Sequence, residues 1–527
     1  MQFRWQFAKD RLLPVTLLCV FMAGNTRSAF AADLRLIDAI EIALTKNPDI
    51  AVQRSQTTFL RGAEMQAKSQ FDWEFAGSAD LSRTITPLDT AGDGAPVWTQ
   101  TRQFASGYEV GVIRQLRNGM TFGSSLVAAA TQDTSPGAFP GQKNTVKLNV
   151  SLTLPLLRGS GTENVTGQES SSELNALASG YMVRDRVAQT VRDVAVAYWT
   201  YRSRIQLEKV AADAEEQSRT LLASTQKLVD NAEKPRADLV LLNADYADKV
   251  IDRKAATLNR TEAKNSLGRI LGLDAVAIAQ LTLAQDVLPL PQVLRAISPA
   301  QVQALGERAL RRRSDVSAVE LQTEAAIKLL AVAKNNLKPR MDLQLNAGYG
   351  KASEGGSHFG FISIPGRTQT GPSVSAVLNF QFPIENRSAS GALLQSVATV
   401  EQLRTKRRDL QIAVVNNVEA AVAAVTSSAE RIQIAKDGLT SYQKAIEHEV
   451  IKQRNGFSTL IDVINVESRY VNARINYLQL ELEYAVALVN LNYAAGTLLP
   501  EVVPGKSAMD RVTIDLDRLQ DLQRLFL

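Results

Sequence analysis

Cysteine is all but missing. The 527 residues contain one, Cys19, inside an apolar run near the N-terminus and preceded by Leu18, where a lipid-attachment signal carries a small residue. A chain with no other thiol has no disulfide framework, no thiolate metal site and no cysteine nucleophile. Histidine is nearly as scarce. His358 falls in a Gly/Ser-rich stretch and His448 sits beside Glu447 and Glu449 on a predicted helix. Two histidines so far apart, with no cysteine beyond Cys19, argue against a zinc site, and each is read as a solvated surface group. The glycine-rich run Glu354-Gly355-Gly356-Ser357 lacks the Lys-Ser/Thr of a phosphate loop and reads as a loop between strands. No nucleophile, base and acid come together in any spacing that hydrolysis would need, so no catalytic residue, metal or cofactor is assigned.

A charge excess is missing as well. The formal net charge is +5, but Arg4, Lys9, Arg11 and Arg27 against Asp10 account for much of it; beyond residue 31 stand 55 basic and 53 acidic residues. So even a balance gives no reason to invoke nucleic acid. The first 31 residues have the order of a secretory signal: basic Arg4, Lys9 and Arg11, an apolar run from Leu12 to Ala23, then Ala29-Phe30-Ala31 as a small-x-small cleavage site. The run is shorter than the ~20 residues of a spanning helix, which disfavours a membrane anchor. Beyond it no stretch of 18 or more purely apolar residues occurs, so a membrane-embedded form of this chain is expected to cross as a β-barrel.

What is present is long helix. Residues 34–68, 163–272, 298–338 and 388–496 are rich in Ala, Leu, Val, Gln, Glu, Lys and Arg at helical spacing. Ile464, Val471, Ile475, Leu478, Leu482, Ala485 and Val489 follow the three-and-four spacing of coiled-coil packing. Tyr470, Tyr477 and Tyr484 recur at sevens on another face, read as a packed or half-exposed stripe. The two longest stretches break near 231–235, ending at Pro235, and at Asn455-Gly456, so each is expected to be a helix, a tight turn and a returning helix. An arm from 388 to 455 would measure roughly 100 Å at ~1.5 Å per residue.

Strand-like pieces separate the helices. Residues 73–84, 145–155, 340–350 and 373–383 alternate apolar with small or polar side chains, as in Val146-Lys147-Leu148-Asn149-Val150-Ser151-Leu152. Such alternation suits a wall between lipid and water, and equally an ordinary half-buried sheet. The chain also resembles itself. Ala43-Leu44 through Asp49-Ile50 lines up with Ala309-Leu310 through Asp315-Val316, 266 residues on, and 191–272 runs without a gap against 415–496, 224 residues on. Asn231/Asn455, Asp238/Asp462, Tyr246/Tyr470, Leu258/Leu482 and Gly272/Gly496 are identical pairs in that frame. Two halves are therefore expected, 32–297 and 298–499, after the signal and before a tail at 500–527. The first half carries extra residues, within which 108–117 and 120–130 flank Asn118-Gly119, a strong hairpin signal. That hairpin either adds strands to the wall or forms a feature at its mouth.

Ala43-Leu44 with Asn47-Pro48, the strand-ending Leu154-Pro155-Leu156-Leu157-Arg158-Gly159, the run from Asn455-Gly456-Phe457 to Asp462-Val463, and Ala494-Ala495-Gly496-Thr497-Leu498 together resemble the TolC-like outer-membrane factor family. The resemblance spans nearly the whole chain after residue 31. It implies an α+β membrane protein and a homotrimer, in which strands from three subunits close one transmembrane β-barrel in outer-membrane lipid. Helices continue it as a coiled-coil tunnel through the periplasm. A periplasmic adaptor protein and an inner-membrane transporter dock at the far end, and the chain is an exit duct for efflux or type I secretion.

The resemblance also points to a site. Aspartates at the position of Asp462 and three residues later line the family's constricted tunnel end; here Asp462 matches and Asn465 replaces the second. Asp238 stands six residues after Ala232 as Asp462 stands six after Gly456. A tyrosine and an arginine that tie this end shut in the family's best-known channel correspond to Gln453 and Ser458, so the lock is missing or is made otherwise, with Arg454 and Arg236 as nearby cations. For Asp462 the competing reading is helix capping. Arg311-Arg312-Arg313 reads as a solvated basic face or a salt-bridge partner. The rival for the whole chain is a soluble periplasmic coiled-coil adaptor or scaffold, which would leave the strand blocks unexplained.

Overall fold

The structure, a computed structural model, describes residues 33–90, 97–133, 142–232, 235–283, 286–289, 298–354 and 368–499. The expected signal (1–31), the loop holding His358 and Glu354-Gly355-Gly356-Ser357 beyond its first residue, and the tail (500–527) lie outside the described residues.

The chain opens with α1 (Leu36–Lys46) and α2 (Pro48–Lys68), followed by a 3-10 turn at Ser69–Phe71. The single helix expected at 34–68 is therefore two. Asn47 takes an extended backbone because the proline ring after it clashes with helical geometry, and its side chain accepts hydrogen bonds from the Asp49 and Ile50 amides. Four strands follow: β1 (Glu74–Thr90), β2 (Val97–Gln115), β3 (Thr121–Asp133) and β4 (Gln142–Pro155). After a short α3 (Thr162–Val165), the first long pair is α4 (Gly167–Asp230) and α5 (Arg236–Ile270), then a five-residue α6 (Ala275–Ala279). The chain continues with α7 (Pro299–Arg312), α8 (Ser314–Asn336), β5 (Arg340–Glu354), β6 (Thr368–Gln381), α9 (Arg387–Arg454) and α10 (Leu460–Ala494). The helix expected at 298–338 is likewise broken, at Arg313, which is extended without a proline to force it.

All six strands form one antiparallel sheet in chain order, β1-β2-β3-β4-β5-β6. The extra hairpin is thus part of the sheet, inserted between β1 and β4, and the four strands expected from the sequence are six. The turn from β2 to β3 is built around Asn118-Gly119. Gly119 has φ +96°, and a Cβ there would lie 2.3 Å from the Gly159 carbonyl oxygen, so only glycine fits.

The long helices pair as expected. α9 has 68 residues, a rod of about 100 Å. α5 and α10 have 35 residues each and begin at 236 and 460, 224 positions apart. Their turns also match in backbone, Ala232 and Gly456 both having positive φ, as do Gly272 and Gly496 at the far ends. The main core gathers α1, α4, the end of α5 and α10 around Ile40, Ile50, Val187, Val191, Tyr198, Leu267 and Val489. A second core packs Ala309 and Val316 against Val414, Val418 and Val422 of α9. α9 does hold one 18-residue window with mean hydropathy 1.3, long and apolar enough by composition to cross a membrane. Its Asn416, Asn417 and Glu419 interrupt any purely apolar run, and Val414 and Val418 near them face this core. Of the tyrosine stripe, Tyr484 is buried with Leu480 and Tyr477 packs at the edge of the same cluster.

Candidate functional site

Two regions of the fold have geometry suited to a duct: the hairpin tips and the sheet. At the second tip, α9 ends in Asn455 and Gly456, whose positive φ (+77°) turns the chain back. Thr459 caps α10 and accepts from the Asp462 amide at 3.3 Å, while Asp462 Oδ2 accepts from the Thr459 amide at 3.0 Å and from its hydroxyl at 2.5 Å. This is a capping box with aspartate in the third helical position. Ser458, next to it, donates to Glu449 and, at 3.4 Å, to Asp462. The Thr459 hydrogen bonds hold the Asp462 carboxyl below the usual aspartate range; the Ser458 hydroxyl and then Lys452 do the same for Glu449. Both carboxylates are charged at neutral pH.

Asp462 is exposed, and Asn465 stands exposed one turn further along. Asp238 occupies the same helical position of α5, half-buried in the first turn after Pro235, but Pro235 offers no capping side chain. Among the described residues no hydrogen bond or ion pair joins Asp238 to Asp462. Arg236 and Arg454 are exposed at the tips, as is His448 further back on α9, while Gln453 and Ser458 are half-buried. Behind the tips a charged ladder zips α4 to α5: Arg260 to Glu208 at 3.0 Å, Thr257 to Glu208 at 2.8 Å and Arg253 to Glu215. Arg474 of α10 reaches Asp213 of α4 at 3.2 Å, tying one hairpin to the other.

The sheet register sorts every strand into two faces. On one lie Phe75, Ala79 and Leu81 of β1, opposite Val112, Tyr108 and Ser106 of β2. The same face continues through Leu126 of β3, then Val146, Leu148, Val150 and Leu152 of β4. It ends on Leu343, Leu345 and Tyr349 of β5 and Val374, Leu378 and Phe380 of β6. Most of the large apolar side chains among these are exposed, Val374 to 84% and Phe75 to 73%, while Val146, Leu152 and Leu343 are half-buried. The opposite face carries small and polar groups, among them Ser78, Asp80, Glu109, Ser125, Asn149 and Asn346. Ile113 and Val377 are apolar exceptions there. Ala76, Ser78, Glu109, Gly111, Ser125 and Asn149 line a groove on this second face. At the helical end, Trp73 meets Phe122 edge to face at 6.1 Å, with Arg114 over its ring at 5.3 Å.

The turn of the extra hairpin is pinned to the helices. Arg117 grips Glu169 at the start of α4 through two hydrogen bonds of 3.1 and 2.8 Å and lies over Phe71 at 4.8 Å. Sequence reasoning saw the Asn118-Gly119 turn but not this anchor, because Arg117 and Glu169 are 52 residues apart. It also missed a cluster where the halves meet. Arg313, read as part of a solvated face or as a salt-bridge partner, is the second: half-buried, it binds Asp315 bidentately at 3.0 and 2.6 Å and stacks on Tyr493, which Arg192 covers at 4.6 Å. Burial opposes the Arg313 charge, but its bonds to Asp315 outweigh this and raise the guanidinium's pKa. Asp185, in the same cluster, is pushed up to about 6 by burial and by Asp315.

Residues 305–497 match the family model of outer membrane efflux proteins. No curated protein matches the sequence. Among solved structures the fold is similar to the Campylobacter jejuni CmeC outer membrane channel, with a TM-score of 0.65, 13% identity, and coverage of 93% of this chain and 90% of that one. It is similar also to the outer membrane protein VceC of Vibrio cholerae, at 0.63, 14%, 88% and 96%, and to the outer-membrane channel OprN, at 0.62, 17%, 88% and 90%. The resemblance to the TolC-like outer-membrane factor family is thereby borne out, in sequence over residues 305–497 and in the fold of the described residues.

Proposed function

We propose that this chain is the outer-membrane channel subunit of a tripartite efflux or type I secretion system, a homotrimeric passive duct that catalyses no reaction. The observation that carries the reading is the junction of a two-faced sheet with helices, α4 and α9, about 100 Å long. A sheet apolar on one face and small or polar on the other suits a wall with lipid outside and water inside. Six strands in a single chain leave the outer edges of β1 and β6 open, and only closure with further copies satisfies them in lipid. The helices then continue the duct across the periplasm to an adaptor and an inner-membrane transporter, which supplies the energy.

The halves 32–297 and 298–499 are a duplicated unit in this reading. Helix boundaries and positive-φ turns that recur 224 positions apart support it, as do the extended breaks at Asn47 and Arg313, 266 apart. Asp462, with Asp238, forms an acidic ring at the periplasmic constriction, since cyclic symmetry repeats each side chain around the axis. Capping and gating are compatible roles for Asp462, because the box leaves its charge exposed.

Envelope fractionation with native mass spectrometry of the extracted particle tests the assembly: three copies in the outer-membrane fraction are expected. Recovery in the soluble periplasm alone would favour the adaptor reading and sink this one. For the ring, Asp462→Asn keeps a capping acceptor and removes the charge, so it should weaken block by a periplasmic trivalent cation in planar bilayers while leaving heat stability unchanged. Undiminished block removes Asp462 from the pore.

A further inference from the structure

The inserted β2–β3 hairpin changes the size of the opening that this chain can enclose. It pairs along its whole length on both sides, over 17 residue pairs with β1 and 12 with β4, so it is wall and not a flap lying across the sheet. Its side chains obey the same two-face rule as the neighbouring strands. Tyr108, Val110 and Val112 of β2 and Leu126 of β3 extend the exposed apolar face, whereas Gly107, Glu109 and Gly111 and then Gly123 and Ser125 extend the polar one. A hairpin folded into a lumen would show the reverse exposure. The groove on the polar face is lined by residues of β1, β2, β3 and β4 together. At the helical end Arg117 and Arg114 fix the hairpin to Glu169 and to the Phe71 carbonyl.

Strand direction supports closure with the hairpin in place. The six strands alternate, so β6 of one copy runs antiparallel to β1 of the next. Two added strands preserve that alternation where one would break it.

On the trimeric reading given above, we propose that the membrane wall has eighteen strands, six from each copy, and that the β2–β3 hairpin sets the pore width. Strands ~4.8 Å apart and tilted ~40° give a barrel about 36 Å across, backbone to backbone, for eighteen strands and about 24 Å for twelve. Glycine and serine on the inner face of the hairpin keep the gain open to water. The membrane end then admits bodies roughly 20 Å across after side chains are allowed for, the size class of a bulky polymer or small folded domain.

The test begins with the full chain. Electron cryo-microscopy of the extracted particle should show three copies and eighteen strands in a section through the barrel. Three copies with twelve strands would overturn the width while leaving the trimer standing; any other copy number would overturn both. A second measurement reads the lumen. Ser151, paired with Gly123 on the inner face, becomes the only cysteine of the chain beyond residue 31 in Ser151→Cys. In intact cells a maleimide carried on a polymer about 20 Å across should label it, and in a variant with residues 97–133 excised only a small maleimide should. Exclusion of the large reagent from the full chain counts against the proposal, as does equal labelling of both proteins.

Discussion

Asp185→Asn should stabilise this protein, and only above a certain pH. Asp185 lies on α4 in a cluster with Asp315, Arg313 and Arg186, and Gln189 donates to it at 2.7 Å. Burial, with Asp315 adding to it, pushes its carboxyl up to about 6 from 3.8; Arg313 and Arg186 pull the other way and lose. A carboxyl that holds its proton more tightly folded than unfolded contributes nothing adverse below pH 4. As pH rises from about 4 to 6 the unfolded chain ionises first, and stability falls until both states are charged. The shift corresponds to about 3 kcal/mol at ~1.4 kcal/mol per pH unit, an upper bound that the partial exposure of the site reduces to about 1–3. Asparagine keeps the shape and the bond to Gln189 without the charge. Thermal unfolding of both proteins, followed by far-ultraviolet circular dichroism in detergent from pH 4 to 8, should give equal midpoints at pH 4 and a higher midpoint for Asp185→Asn at pH 8. A lower midpoint for the variant at pH 8 would show that the arginines need this charge, and would refute the reasoning.

Further outcomes follow from other contacts. Tyr198 is fully buried and donates its one hydroxyl proton to Asp286 at 2.5 Å, with the Leu34 carbonyl oxygen 3.1 Å away, so Tyr198→Phe should cost about 1–3 kcal/mol in denaturant unfolding. Gly119→Ala puts a Cβ 2.3 Å from the Gly159 oxygen at φ +96°, and should lower the yield of assembled particle on unheated gels far more than Gly371→Ala, where the space is open. Leu148→Lys, on the apolar face of β4, should cost about 2–4 kcal/mol of stability in lipid, whereas Asn149→Lys on the other face should cost almost nothing; equal effects would contradict the assignment of the faces.

Much of this fold was legible because its punctuation is local. Asn455-Gly456, Asn118-Gly119 and Asn47-Pro48 are short signals whose geometry follows from one or two residues. The offset of 224 found by matching residues is the offset of the helix boundaries. What the sequence hid was of two kinds. Arg313 interrupts its helix with no proline to announce it; the break is held by the bidentate bond to Asp315, two residues on, and by the Tyr493 ring, 180 residues away. The length of β2 was hidden for a different reason: the hairpin signal reaches back only to residue 108, and the residues before it become strand because β1 offers backbone partners from 97 onward and β3 from 103 onward. Asp185 shows the same lesson for chemistry, since nothing near it in sequence foretells Asp315.

The tip joins both kinds of information. Asp462 was singled out by position, while its hydrogen bonds became visible only in the fold, and they bear on how a ring would titrate. Three like charges near an axis push one another's pKa upward, which would discharge a ring as pH falls. The capping box acts against this, because the Thr459 hydroxyl and amide both donate to the same carboxylate oxygen and hold its pKa down. Thr459→Val removes the hydroxyl and keeps the branched shape, so it takes away the first of those donors and leaves the charge in place. If Asp462 lines the pore, the pH at which trivalent-cation block fades should move upward in Thr459→Val relative to the unaltered channel, while block at pH 8 stays the same. A fading point that does not move would mean that the Thr459 hydroxyl does not govern the charge that binds the cation, and would separate the capping role of Asp462 from any role in the pore.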